Sequence, residues 1–260
     1  MIPKVIHYCW FGGNPKPKLA EKCIKSWKKY CPDYEIVEWN EDNFDISAAP
    51  LYVRQAYEAK KWAFVTDYVR LEVVYNHGGV YLDTDVELLK SLDSLLDNKA
   101  FFGYENGIHV ATGLGFGAEQ QMPILAEMMQ DYNGIPFIKS DGTIDSTTCP
   151  QRNTNVLVKY GLKQDNTKQT VADCLILPSH YLCPINYLSG EKKITADTIS
   201  IHHFSASWQT QVQKKKHKEN KRKIERSNRI HNILHIPHRI IRTILGDAKY
   251  ENMKRQLKRK

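Results

Sequence analysis

The first forty residues switch between two periodicities, and that switch restricts the fold more than any other stretch of the chain. Val5-Ile6-His7-Tyr8-Cys9-Trp10-Phe11 is a β-branched and aromatic run that ends at Gly12-Gly13, and Asn14-Pro15-Lys16-Pro17 is a loop. From Leu19 to Tyr30 the apolar residues Leu19, Ala20, Cys23, Ile24 and Trp27 recur at helical spacing, with lysines between them. Tyr34-Glu35-Ile36-Val37-Glu38-Trp39 then returns to strand composition. A strand–helix–strand opening is the signature of a sheet with crossover helices.

The rest of the chain continues in that style. Residues 51–77 carry helical periods, first through Tyr52, Ala56, Ala59 and Ala63, then through Val65, Val69, Val73 and Val74. Gly78-Gly79 follows, and glycine suits the left-handed cap of a helix. Val80-Tyr81-Leu82 reads as a short buried strand. Further strands are expected at 100–104, 113–117, 175–178 and 198–202, and a helix at 122–132. The polar, turn-rich stretch 133–155 reads as a loop.

Charge divides the chain in two. Residues 212–260 hold 17 Lys+Arg against 4 Asp+Glu, a net +13, whereas residues 1–211 hold 20 against 25, a net −5. The whole-chain figure of +8 therefore describes neither part. We expect domains at 1–211 and 212–260. Nothing approaches the ~18 consecutive apolar residues of a spanning helix, and the N-terminal residues are too mixed for a signal peptide. Cys9, Cys23, Cys31, Cys149, Cys174 and Cys183 form no C-x-x-C pair, and they read as reduced thiols in a reducing compartment.

The segment richest in chemistry is Gly78-Gly79-Val80-Tyr81-Leu82-Asp83-Thr84-Asp85. Carboxylates at i and i+2 of an extended segment share a side, and two close anions repel unless positive charge joins them. A buried strand running into such a pair invites a hard divalent cation, Mg²⁺ or Mn²⁺, that bridges to a phosphate-bearing ligand. The same pair also suits a metal-dependent nucleotidyltransferase or phosphohydrolase, and a bare D-x-D also occurs as an acidic strand end facing water.

Four segments together resemble a known family. Ile6–Gly13, Asp67-x-x-Arg70, Gly78–Asp85 and Ile201-His202-His203-Phe204-x-x-Ser207-Trp208 are similar, in order, to the DXD-containing sugar transferases of glycosyltransferase family 32. Bacterial capsular-polysaccharide glycosyltransferases belong to that family, and the glucosyltransferase domain of the large clostridial toxins is a more distant relative. The resemblance implies an α/β fold of GT-A type, a single Rossmann-like mixed sheet flanked by helices. It also implies a nucleotide-sugar donor, a divalent metal and retention at the anomeric carbon. Asp83 would then face the ribose and donor sugar, and Asp85 would bind the metal. Asp67 and Arg70, one helical turn apart, would hold sugar hydroxyls and the diphosphate region; without the resemblance they read as a surface ion pair. Trp10 would stack on the base, with the backbone around Ile6 to Tyr8 reading its edge; on sequence alone a tryptophan at a strand end reads first as core filling. Tyr81 joins the donor-binding residues, and Ser207 and Trp208 would close over the diphosphate. His202 is the candidate third metal ligand and His203 the fallback, since adjacent strand residues face opposite ways. A metal with Arg70 would stabilise the leaving diphosphate, and a front-face mechanism needs no dedicated base.

In the tail, Ile230, Ile233, Leu234, Ile240, Ile241, Ile244 and Leu245 share a helical face beside clustered charge, with Pro237 interrupting. We expect a basic amphipathic helix on an anionic membrane surface, ahead of a solvated or partner-docking helix. No aromatic residue lies between Trp208 and Tyr250, so nucleic acid finds no stacking platform. An acceptor on a membrane lipid, as in surface polysaccharide synthesis, would place the enzyme peripherally on the cytoplasmic face of the inner membrane. A non-enzymatic basic adaptor would explain the tail but not residues 2–208.

Overall fold

The computed structural model describes residues 1–187 and 190–205. The expected boundary at 211/212, the basic tail, Ser207 and Trp208 lie outside them. The opening unit is β1 (Val5–Cys9), α1 (Lys18–Tyr30) and β2 (Glu35–Trp39), followed by α2 (Leu51–Glu58) and α3 (Trp62–His77). Next come β3 (Gly79–Tyr81), β4 (Val86–Leu88), β5 (Ala100–Gly103), β6 (Phe116–Ala118) and α4 (Pro123–Gln130). The described part closes with α5 (Cys149–Lys159), β7 (Gln169–Val171), β8 (Cys174–Leu177), α6 (Ser179–Leu182) and β9 (Ser200–His202).

Seven strands form one mixed sheet in the order β2-β1-β3-β6-β5-β8-β7, and β4 pairs with β9 in a separate antiparallel ribbon. This is the expected α/β fold, a central mixed sheet flanked by helices. The strands β2, β1 and β3 run parallel. Because the chain steps from β1 out to β2 and returns to β3 on the other side, the crevice at the carboxyl ends of β1 and β3 is a topological switch point, where open α/β sheets bind ligands.

Side-chain alternation divides the core between the sheet's faces. Val80, Leu82 and Phe101 join the cluster built with Cys23 and Trp27 of α1, whereas Tyr81 and Phe102 join the one built with α2, α3, α4 and α5. Trp27 also donates from its Nε1 to the carbonyl of Val86, 2.7 Å away, which fixes the ribbon against α1. All six cysteines are free and buried.

Two differences from the sequence reading have physical causes. α5 occupies part of the stretch expected to be a loop. Its buried face includes Arg152, Asn153 and Thr154 beside Val156 and Leu157, so a helix is present without an apolar period. The strand expected from Gly113 begins only at Phe116, because Thr112–Leu114 is a 3-10 turn that ends at Gly115 with φ +111°.

The turn from α3 into β3 depends on glycine and on His7. Gly79 has φ +104°, and a Cβ there would lie 2.8 Å from the Val5 carbonyl oxygen and 2.9 Å from His7 Nε2. His7 Nε2 bonds the Gly78 carbonyl at 2.8 Å, and its Nδ1 accepts from Trp39 Nε1 at 3.1 Å. An indole only donates, so the imidazole is neutral with its proton on Nε2. Burial pushes His7 down from 6.5 to about 4. Between those values the unfolded chain holds the extra proton, so this contribution to stability is present above pH 6.5 and lost as the pH falls towards 4. In denaturant titrations, the advantage of wild type over His7→Gln should shrink by about 3 kcal/mol between pH 7 and pH 4. An advantage that stays constant contradicts the assignment.

Candidate functional site

The strand β3 delivers Tyr81, Leu82 and Asp83 to the switch point. Asp83, Thr84 and Asp85 then form a turn closed by the Val86 N–H on the Asp83 carbonyl at 2.9 Å. The two carboxylates are thus carried by a turn and not by the extended segment expected. In the ribbon, β4 and β9 pair Val86 with His202, which brings that imidazole back over the turn. One ligand atom from each of Asp83, Asp85 and His202 lies within 4.8 Å of the others.

Each member is oriented by a defined partner. Asp85 Oδ1 lies 3.1 Å from His202 Nε2, and its Oδ2 accepts the Ser205 backbone N–H at 2.7 Å. Although burial pushes the Asp85 carboxyl up, His202 and Ser205 hold it well below the usual carboxylate range. Burial pushes His202 down, but Asp85, Asp83 and Glu105 together hold it above its ordinary value. Asp83 Oδ1 accepts from the Tyr81 hydroxyl at 2.9 Å. His203 faces the other way: its Nε2 bonds Glu87 Oε2 at 2.8 Å, and Lys22 shares that carboxylate. The alternation at the end of β9 therefore directs His202 to the Asp-x-Asp turn and His203, the next residue, to a surface cluster.

Behind the turn sits Arg70, buried on α3. Its Nη2 is 3.0 Å from Asp67 Oδ1 and 3.5 Å from Asp83 Oδ1, and its Nε donates to the Thr66 carbonyl at 2.8 Å. The guanidinium also lies over the Tyr81 ring, 5.1 Å from its centroid. This pair is not the surface ion pair that spacing alone allows. Its side chains are 4% and 15% exposed, for Arg70 and Asp67 respectively. Burial pushes Asp67 up to about 6 against the pull of Arg70.

The other expected residues fall in different surroundings. Ile6 and His7 are buried in β1, and the imidazole of His7 is committed to Gly78 and Trp39. Neither side chain is brought to the Asp-x-Asp turn. Trp10 is half-buried just past β1, with its Nε1 donating to the Asn14 carbonyl at 2.6 Å. In the Ala111-Thr112-Gly113 segment, which the resemblance sets only loosely beside the donor-sugar pocket, a Cβ at Gly113 would lie 2.6 Å from Asp83 Oδ2 and 2.8 Å from Arg70 Nη1. Only a glycine lets that turn approach both groups, and the signal for it was a glycine in the Ala-Thr-Gly segment.

The donor set fits a divalent cation. A bound metal would take the place of the His202 proton, and the carboxylates of Asp67, Asp83 and Asp85 with the one guanidinium then sum to −2; His202 Nδ1 is buried without a partner among the described residues. Two carboxylates and an imidazole are the ligand types of a hard or borderline cation.

Residues 17–102 match the family described as "Glycosyltransferase sugar-binding region containing DXD motif". An inositol phosphoceramide mannosyltransferase of Schizosaccharomyces pombe is 35% identical over 140 residues, 52% of this chain. The chain spans only 38% of that relative's length. An uncharacterized glycosyltransferase of Acanthamoeba polyphaga mimivirus is 23% identical over 229 residues, covering 80% of this chain and 84% of that one. Among solved structures, the PaToxG glycosyltransferase aligns at 20% identity and a TM-score of 0.47, over 61% of this chain and 69% of that one. Asp67, Arg70, Asp83 and Asp85 all lie within the residues that match the sugar-binding region containing the DXD motif.

Removing the shared counter-charge should be severe. Arg70→Met leaves Asp67 and Asp83 without their guanidinium and should cost about 3–5 kcal/mol in urea unfolding at pH 7. Adding Asp67→Asn should recover about 1–2 kcal/mol of it. Strictly additive losses contradict the shared-cation geometry.

Proposed function

We propose that this protein is a metal-dependent, retaining glycosyltransferase of GT-A type and of glycosyltransferase family 32. It would move a sugar from a nucleotide-sugar donor to a saccharide acceptor. The observation that carries the reading is the meeting of Asp83, Asp85 and His202 at the carboxyl end of β3, inside a switch-point crevice. A divalent cation held by these residues, Mn²⁺ or Mg²⁺, supplies Lewis-acid stabilisation of a diphosphate leaving group.

The chain's own residues divide the remaining work. Tyr81 and Arg70 fix the Asp83 carboxylate, so that it meets its ligand without reorganisation. Arg70 acts from behind the carboxylates, and its charge lowers the repulsion between them. Asp67 accepts hydroxyls of the donor sugar. Trp10, at the end of β1, offers a face to the base. Ser207 and Trp208 take the diphosphate by resemblance. The acceptor oxygen attacks from the face that the phosphate leaves, and the departing phosphate takes its proton, so no side-chain base is required.

The acceptor in this reading is a lipid-linked saccharide of surface or capsular polysaccharide synthesis. The fission yeast relative's name records mannosyl transfer to inositol phosphoceramide, itself a lipid. The +13 of residues 212–260 supports a peripheral place on the cytoplasmic face of the inner membrane.

A panel of UDP-, GDP- and CMP-sugars with and without Mn²⁺ tests the reading, with thermal shift and donor hydrolysis as readouts. One nucleotide class should stabilise the protein only with metal, and its hydrolysis should stop in EDTA. Stabilisation by none, or turnover indifferent to EDTA, contradicts it.

A further inference from the structure

Glu105 stands just past the carboxyl end of β5 in a tightly held loop. Tyr104 pairs with Val110, and the Glu105 N–H donates to the His109 carbonyl at 2.8 Å. Asn106 Oδ1 accepts from the N–H groups of Ile108 and His109 at 3.3 and 3.0 Å. The Glu105 carboxylate is half-buried and within charge range of His202, His109 and Cys183.

Among the described residues it has no hydrogen-bond or ion-pair partner. The other carboxylates around the site all have one. Asp67 has Arg70, Asp83 has Tyr81, Asp85 has His202 and Ser205, and Glu87 has Lys22 and His203. A carboxylate partly withdrawn from water without a donor costs the fold some stability. Placed at a ligand crevice, it points to a donor that arrives with the ligand.

Its position says which ligand. β3 and β6 are antiparallel, as are β6 and β5, so β3 and β5 run the same way. Asp83 and Glu105 therefore leave the same edge of the sheet, two strands apart, a lateral step of roughly 10 Å at ~4.8 Å per strand. Glu105 is not among the three residues whose ligand atoms cluster. A metal and diphosphate held at the end of β3 would leave that lateral step to the transferred sugar ring. In the reading proposed above, Asp67 serves the donor's hydroxyls from α3.

We propose that Glu105 binds a hydroxyl of the acceptor saccharide, on the side of the transferred sugar away from the metal. This rests on the glycosyltransferase reading above.

The test uses the full chain, Mn²⁺ and the nucleotide-sugar that wild type hydrolyses best. Methyl glycosides of glucose, galactose, mannose and N-acetylglucosamine serve as acceptor probes. In Glu105→Gln the ratio of transfer to donor hydrolysis should fall at least about tenfold. The melting midpoint should not drop, because no internal partner is lost. A ratio left unchanged overturns the assignment, whether both rates fall together or neither does. A lowered midpoint overturns it as well, since it reveals an internal partner. So does a wild type that hydrolyses donor but transfers to none of the four glycosides. A wild type inert with every donor removes the glycosyltransferase reading first, and Glu105 with it.

Discussion

One buried guanidinium holds the site together. Arg70 is the cation shared by Asp67 and Asp83, and its Nε is tied to the backbone of its own helix at Thr66. Without it, carboxylates would face each other in a poorly solvated crevice, and burial would drive them to protonate. With it, Asp83 keeps a counter-charge that opposes the upward push of burial, while His202 and Ser205 hold Asp85 as an anion, and the charge that remains matches a divalent cation. The Coulombic balance here decides both whether the fold tolerates the site and what the site can take.

The backbone around that guanidinium has little freedom. α3 has to end and β3 has to begin within two residues, so that Arg70 and Asp83 meet. Gly78-Gly79 permits the reversal, and His7 reads its success through the Gly78 carbonyl. On the far side, Gly113 allows a turn to pass close to both Asp83 and Arg70. The ribbon of β4 and β9 then returns His202 to the turn that β4 leaves. Three separate chain passages converge on one pair of carboxylates, two of them on account of glycines.

Much of this was legible in the sequence because it rests on local rules. Period switching located β1, α1 and β2, and the apolar approach to Asp83 located β3. Strand alternation predicted that His202 and His203 would separate, as they do. What escaped was tertiary in origin. α5 hides because Arg152, Asn153 and Thr154 are buried polar residues on a helix without an apolar stripe. The imidazole of His7 is spent inside the fold on Gly78 and Trp39, and no spacing records that. Gly113 and Glu105 matter for what lies next to them, and no spacing records that an atom is crowded or that a carboxylate has no donor.

The central claim is that Asp83, Asp85 and His202 hold a divalent cation, and direct Mn²⁺ titration by electron paramagnetic resonance tests it most simply. Wild type should bind roughly one Mn²⁺ per chain. Asp85→Asn and His202→Ala should each weaken binding by about tenfold or more. His203→Ala, whose imidazole faces Glu87, should bind as wild type does. Unchanged binding in Asp85→Asn, or an equal loss in His203→Ala, would contradict the account.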